Sequence, residues 1–219
     1  MRARRPELAV QRRCPGCFLH RSLCVCALIP TVVTHTRVVF VVHQLELRKP
    51  TNTGRLAARC LPNSAVLLRG GGAPADPSAA WAADPLPLLL FPDRQARPVD
   101  EWRGSDQPVT LIVPDGTWRQ AARARRRIPG LSQVPCVTLP VAASGYRLRQ
   151  AVRPGRLSTM EAVACALGAL EGPEVEAALI HILRIMVDRT LWTNGRIASA
   201  EVTGGIPPGA VSHDPLSGT

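Results

Sequence analysis

At 219 residues, with 46% of them hydrophobic, the chain is long enough to bury a core without disulfide staples and has the size of one α/β domain with a small appendage. A formal net charge of +11, with Lys49 the only lysine, makes an acidic polymer such as RNA the natural partner, because Arg forks grip phosphate with two hydrogen bonds. No apolar run nears the roughly 20 residues that cross a bilayer, so no membrane span is expected; no uninterrupted apolar stretch follows the basic start, which argues against a secretory signal, and a reducing, cytoplasmic setting is expected for the seven cysteines.

In chain order, residues 1–13 read as a flexible basic tail. Cys14, Cys17, Cys24 and Cys26 follow within thirteen residues, two close pairs separated by a short loop that suits one tetrahedral, structural Zn²⁺; free or redox-active thiols are the alternative. Tail and knuckle form an N-terminal unit, residues 1–30, ahead of a main domain over 31–200. Residues 37–42 read as a fully buried strand. Behind it, His43, Glu46, Lys49, Asn52, Thr53 and Arg55 gather imidazole, carboxylate, cations, amide and hydroxyl in one loop, and residues 51–53 offer N-caps for a helix over 54–60. Free backbone N–H groups at that helix start favour an anion, although the loop could equally just cap the helix. A strand over 65–68 comes next, and the Gly, Ala, Pro and Ser of 70–84 read as a long surface loop without pattern.

Further along, 86–91 is apolar, with Pro87 restricting it to a sheet edge or a strand start. Residues 109–113 form the second strong strand, which runs into Asp115, Gly116, Thr117 and Trp118 and then a helix over 118–127. Arg119, Arg123, Arg126 and Arg127 fall on or near one face of it, where like charges repel unless an anion neutralises them. A strand is expected over 133–139 despite Pro135. Tyr146 and Arg147 lie before Ser158, which with Glu161 makes a capping box for a helix to 170; another helix covers 174–191, and residues 201–219 are expected to be a flexible tail.

Strands alternating with helices imply a mostly parallel sheet covered on both faces. Ligands of such sheets sit at the carboxyl ends of the strands, which places Asp115 to Trp118 at a site. Asp115 then offers a base or a helix cap. Trp118 offers a plate for a base, or a ring buried under its helix. Tyr146 could stack on a ring or simply pack.

The four-cysteine knuckle, His43 to Arg55, Asp115-Gly116-Thr117-Trp118, and Tyr146-Arg147-Leu148-Arg149 followed by Leu157-Ser158-Thr159-Met160-Glu161-Ala162 occur in one order that resembles the DTW-domain family of tRNA-uridine aminocarboxypropyltransferases over about residues 14–192. The resemblance implies a SPOUT-like α/β sheet with a knotted C-terminal half that binds S-adenosylmethionine. It also implies transfer of the 3-amino-3-carboxypropyl group to N3 of a tRNA uridine, with release of methylthioadenosine. Asp115, Thr117 and Trp118 are then the catalytic candidates, while Gly116, Thr117, Tyr146, Arg147, Leu157, Ser158 and Thr159 line the cofactor. His43, Glu46, Lys49, Asn52, Thr53, Arg55, Arg119 and Arg123 fall to substrate binding. A monomer is expected. A SPOUT-like RNA methyltransferase and a non-catalytic zinc-containing RNA-binding protein are the competing readings.

Overall fold

The computed structural model describes residues 13–70, 77–140, 144–148, 157–210 and 212. Six strands, β1 (Arg37–His43), β2 (Ser64–Arg69), β3 (Leu86–Leu90), β4 (Arg97–Pro98), β5 (Val109–Asp115) and β6 (Cys136–Thr138), form one sheet of order β2-β1-β5-β3-β6-β4. Every pairing is parallel. Four α-helices accompany them: α1 (Thr53–Cys60), α2 (Trp118–Arg127), α3 (Thr159–Leu170) and α4 (Pro173–Thr193).

Strand β1 is apolar without interruption because both of its faces are covered. Val38, Phe40 and Val42 point into a core shared with α1, α3 and α4, whereas Val39 and Val41 point into a second core with Ala124 of α2 and Trp81. Each such side chain contributes about 1.5–3 kcal/mol on burial. Cys17, Leu19, Leu23 and Val25 of the knuckle belong to the first of these cores, so the N-terminal segment packs as part of the main domain.

Several expectations change. Strand β3 lies inside the sheet, between β5 and β6, so of the two places open to Pro87 it takes the strand start, as the second residue of β3, and not the edge. Pro87 is tolerated because the β6 ladder begins only at Leu89, which pairs with Cys136. Leu89 N–H donates to Pro135 O, and the alternation of strand backbone points the Pro87 nitrogen the same way, below the start of β6. The strand expected over 133–139 shrinks to Cys136–Thr138, since Leu131–Gln133 forms a 3₁₀ turn and Pro135 has no N–H to give a ladder. Residues 71–76 of the patternless loop lie outside the described residues, but the remainder is ordered. Pro77–Ala80 is a 3₁₀ turn, Trp81 is buried, and Arg37 clamps Ala80 O and Asp84 Oδ2, each at 2.8 Å.

At the C-terminal end, Val202 is buried, Thr203 donates to Asp188, and Arg189 donates to Gly204 O and Gly205 O. These contacts fix the start of the segment expected to be flexible; residues 213–219, like 1–12, lie outside the described residues. The expected knot depends on the path from β6 to α3, where 141–143 and 149–156, including Arg149, are likewise outside them. Among the described residues no helix is long and apolar enough to cross a membrane.

Candidate active site

Asp115 closes β5 opposite Val42 of β1 and is buried, with 6% of its surface exposed. Its carboxylate is gripped from two helix starts. Asn52 Nδ2 donates to Oδ2 at 2.7 Å and Thr159 Oγ1 donates to Oδ1 at 2.5 Å. Asn52 is also the N-cap of α1, its Oδ1 accepting from Arg55 N at 2.6 Å, and Thr159 opens α3. Gly54 makes the fit possible, because a Cβ there would stand 2.7 Å from Asp115 Cγ. The carboxylate therefore sits where the orphan N–H groups and positive dipole ends of two helices converge.

Asp115 does not cap the following helix. Thr117 does so, in a capping box with Gln120: Thr117 N–H donates to Gln120 Oε1 at 2.6 Å, and Gln120 N–H to Thr117 Oγ1 at 3.3 Å. Gly116, between Asp115 and Thr117, has φ 145°, a backbone conformation that favours glycine, and a Cβ there would meet Gln120 Oε1 at 2.7 Å. Ser158 plays the same part for α3, exchanging hydrogen bonds with Glu161, while Glu161 also holds Gly145 N–H at 2.6 Å and the Ser144 hydroxyl.

Around Asp115 opens a cleft of about 800 Å³ at the carboxyl ends of β1, β3, β5 and β6. Of the expected residues, Glu46, Lys49, Asn52, Thr53, Asp115, Gly116, Thr117, Trp118, Arg119, Tyr146, Leu157, Ser158 and Thr159 line it. Lys49 Nζ meets Glu46 Oε1 at 2.7 Å, so this cation already has a carboxylate partner. Thr53 is buried, with its hydroxyl accepting from Met160 N–H at 3.4 Å. Tyr146 is a packed wall, since its ring is buried and its hydroxyl donates to Thr51 O at 3.1 Å. Trp118 is 44% exposed and lies at the rim, its ring tilted 59° to Phe91 with centroids 6.3 Å apart, so it is not buried under its helix.

Four expected residues are not among those lining the cleft. His43 turns its Nδ1 to Leu45 N–H. Arg147 pairs with Asp188 at 2.5 Å and borders a separate cavity of about 510 Å³. Arg123 lies farther along α2, exposed like Arg119, Arg126 and Arg127. Burial lowers the pKa of Arg69 on neighbouring β2, and the guanidiniums of Arg123 and Arg127 lower it further, which marks a cluster of uncompensated positive charge. Arg55 faces the other way, as a support for the loop: Nη1 donates to Leu47 O at 2.6 Å, and Nη2 to Lys49 O at 3.0 Å and Pro50 O at 3.4 Å.

Sequence reasoning passed over Phe91, Thr138, Asn194 and Arg196, all of which line the cleft. The strand-end rule that located Asp115 applies equally to Phe91 and Thr138, which end or follow β3 and β6. No local signal marks Asn194 and Arg196, which reach the cleft only because α4 ends there.

The four knuckle thiols have sulfur atoms all within 4.8 Å of one another, with Cys14 to Cys24 at 3.5 Å, Cys14 to Cys26 at 3.6 Å and Cys17 to Cys24 at 3.9 Å. Zn–S bonds of about 2.3 Å in a tetrahedron place sulfurs about 3.8 Å apart, so the four residues fit Zn²⁺. Burial raises the Cys24 pKa to about 12, against the lowering effect of the Cys26 N–H and with the Cys14 and Cys26 thiols adding to the rise. Burial acts the same way on Cys14, but hydrogen bonds from Cys17 and Gly16 N–H and the neighbouring thiols outweigh it and bring Cys14 to about 6. A cation is the natural means of ionising all four.

A parallel sheet with helices on both faces, and a cleft at its carboxyl edge onto which two helix starts open, place the protein in the open α/β class, whose ligands sit at the carboxyl ends of the strands. Residues 11–191 match the DTW domain, and the chain belongs to the DTW domain family. It is similar to tRNA-uridine aminocarboxypropyltransferase 2 of Drosophila melanogaster, at 29% identity over 185 residues that cover 80% of this chain and 74% of the relative. The protein of the same name from Macaca fascicularis is 30% identical over 178 residues, 77% of this chain and 57% of that one; the chain spans a little over half the length of that relative. Among solved structures, the SAM-dependent rRNA:acp-transferase Tsr3 from Vulcanisaeta distributa is similar with a TM-score of 0.47 and 20% identity, over 78% of this chain and 85% of that chain.

Proposed function

We propose that the protein transfers the 3-amino-3-carboxypropyl group of S-adenosylmethionine to N3 of a tRNA uridine and releases methylthioadenosine. The observation that carries this reading is the convergence of three motif segments, at Asn52, Asp115 and Thr159, on one carboxylate at the floor of a cleft. The family membership and the names of its relatives support it.

S-adenosylmethionine supplies a sulfonium whose three carbons are all electrophilic. Product choice then depends on which carbon the cleft presents to the nucleophile, and positioning of this kind is worth about 7–11 kcal/mol at its most favourable. The N3 lone pair forms the new C–N bond, the C–S bond breaks with its electron pair going to sulfur, and the N3 proton leaves to a base. Asp115 is that base in our reading. Asn52 and Thr159 each occupy one of its oxygens, which fixes the carboxylate while leaving each oxygen a further lone pair. Trp118, at the rim, is the plate for the uracil once it leaves its stack, with the Phe91 ring behind it. Lys49, Arg119 and Arg196 are the cations near enough to serve a carboxylate or phosphate. Thr117 and Ser158 contribute as caps that fix the starts of α2 and α3, rather than through free hydroxyls.

Incubation with tRNA and S-adenosylmethionine, followed by identification of the nucleoside by-product, tests the reading. Methylthioadenosine is expected; S-adenosylhomocysteine would replace it with a methyl transfer. Asp115→Asn retains the shape, with its oxygen accepting from Asn52 and its amide donating to the Thr159 hydroxyl, so it is expected to bind S-adenosylmethionine as the wild type does and to lose a factor of about 10²–10⁴ in turnover. Unchanged turnover would remove Asp115 from the proton transfer.

A further inference from the structure

Arg55 stands between two parts of the molecule that are far apart in sequence. Its guanidinium carbon lies 4.0 Å from the centroid of the Phe18 ring in the knuckle, while its fork of N–H groups binds the carbonyls of Leu47, Lys49 and Pro50. The opposite side of that same loop carries Glu46 and Lys49 into the cleft and ends at Asn52, which holds Asp115.

Phe18 is itself held in an unfavourable backbone state, at φ 64°, among the described residues the one non-glycine with positive φ. Such a conformation costs of order 1–2 kcal/mol and persists only where the surroundings enforce it. Here the enforcing structure is the closed turn of the first cysteine pair, in which Phe18 N–H donates to Cys14 O at 2.9 Å and Cys14 N–H to Leu19 O at 2.8 Å. The knuckle is seated on the same helix by a second arginine, Arg59, whose Nη1 lies 3.5 Å from Cys26 Sγ and 2.3 Å from where a Cβ on Gly16 would stand.

We infer that Arg55 is a positioning residue that transmits the closed shape of the cysteine knuckle, through Phe18, to the 46–52 wall of the cleft, and thereby sets the affinity of the cleft for S-adenosylmethionine. The first half of this inference concerns the chain alone; the second rests on the proposed function. Arg is required because a planar fork meets several carbonyls and stacks on a ring at once, which the point charge of Lys does not.

The test uses the full zinc-loaded chain and the variants Arg55→Lys and Phe18→Leu, with zinc content and melting temperature measured for each. Amide hydrogen exchange reads the loop without any ligand. The Lys49 and Asn52 amides, which donate to Glu46 O and Lys49 O, are expected to exchange about tenfold faster in both variants, while amides of β1 and α3 keep their protection. Calorimetric titration with S-adenosylmethionine is expected to show affinity weakened about tenfold in Arg55→Lys and less in Phe18→Leu. The double variant should be no weaker than Arg55→Lys, because both changes break one path. Removal of zinc with a chelator should reproduce the loop effect; if it instead unfolds the chain, the two zinc-loaded variants still decide. Unchanged exchange in both variants overturns the inference. Faster exchange together with a wild type that does not bind S-adenosylmethionine upholds the mechanical link and overturns the proposed function instead.

Discussion

Single residues in this cleft are defined by what already occupies their polar atoms. Asp115 is the example, because both of its oxygens have donors supplied by side chains 63 and 44 positions away. Gly54 is the residue that admits this arrangement. In the interior of an ordinary helix, Gly→Ala stabilises by about 1 kcal/mol. At Gly54 the new methyl would stand 2.7 Å from Asp115 Cγ and push the carboxylate off Asn52. Gly54→Ala is therefore expected to keep helical circular dichroism and to lose at least tenfold in transfer activity, roughly the 1.4 kcal/mol of one displaced hydrogen bond to a charged group. Wild-type activity in this variant would show that the carboxylate need not stay where Asn52 and Thr159 hold it.

Elements are joined to one another by a few charged side chains whose partners are backbone groups. Glu171, at the C-cap of α3, accepts from Thr36 N–H at 2.6 Å and His35 N–H at 3.2 Å and so ties that helix to the chain just ahead of β1. Burial pushes the Glu171 carboxyl up, but the hydrogen bonds from Thr36 and His35 prevail, and its pKa falls below the usual 4.5. A carboxyl with a depressed folded-state pKa stabilises above its ordinary value and loses that contribution as pH falls through the folded value. Glu171→Gln is accordingly expected to melt at a lower temperature than the wild type at pH 7, with the gap closing as pH drops below 4.5. A gap that is constant or grows in acid would contradict the assignment. Arg189 makes a comparable joint, reaching Cys24 O at 2.9 Å as well as Gly204 O and Gly205 O, so α4 is bonded to both the knuckle and the C-terminal segment.

At the scale of the whole molecule the net charge of +11 has a location. Arg119, Arg123, Arg126 and Arg127 are exposed on α2, which starts at the cleft with Arg119 in its lining and brings Arg123 and Arg127 near Arg69, and among the described residues none of the four has an acidic partner. Arg125 of the same helix differs, being paired with Asp93 at 2.6 Å. A polyanion such as tRNA laid across this face would release counterions, so its affinity should fall steeply with salt. Arg123→Gln is expected to lower the log–log salt slope by about 0.7–0.9, while Arg125→Gln leaves it nearly unchanged and costs stability instead. Equal slopes for wild type and Arg123→Gln would move the RNA to another face.

What the amino-acid order decided alone is whatever depends on neighbours a few residues apart. The apolar runs of β1 and β5, the caps at Asn52 and Ser158, the bounds of α2 and the spacing of Cys14, Cys17, Cys24 and Cys26 are all local, and the parallel sheet with a cleft at Asp115 followed from them. The extent of β6, the interior place of β3 and the burial of Trp81 were not legible, because each depends on which strand or core lies alongside. The same holds for the tasks of individual polar residues. Charge put Arg55, and the family resemblance Arg147, among the expected ligand contacts, yet a guanidinium serves whichever acceptor the fold brings within 3 Å or so, here the carbonyls of Leu47 and Lys49 and the carboxylate of Asp188. Only strand register and helix packing bring Asn52, Asp115 and Thr159 together and turn Arg55 toward Phe18, since those distances are fixed by the burial of two cores and not by any local preference of the chain.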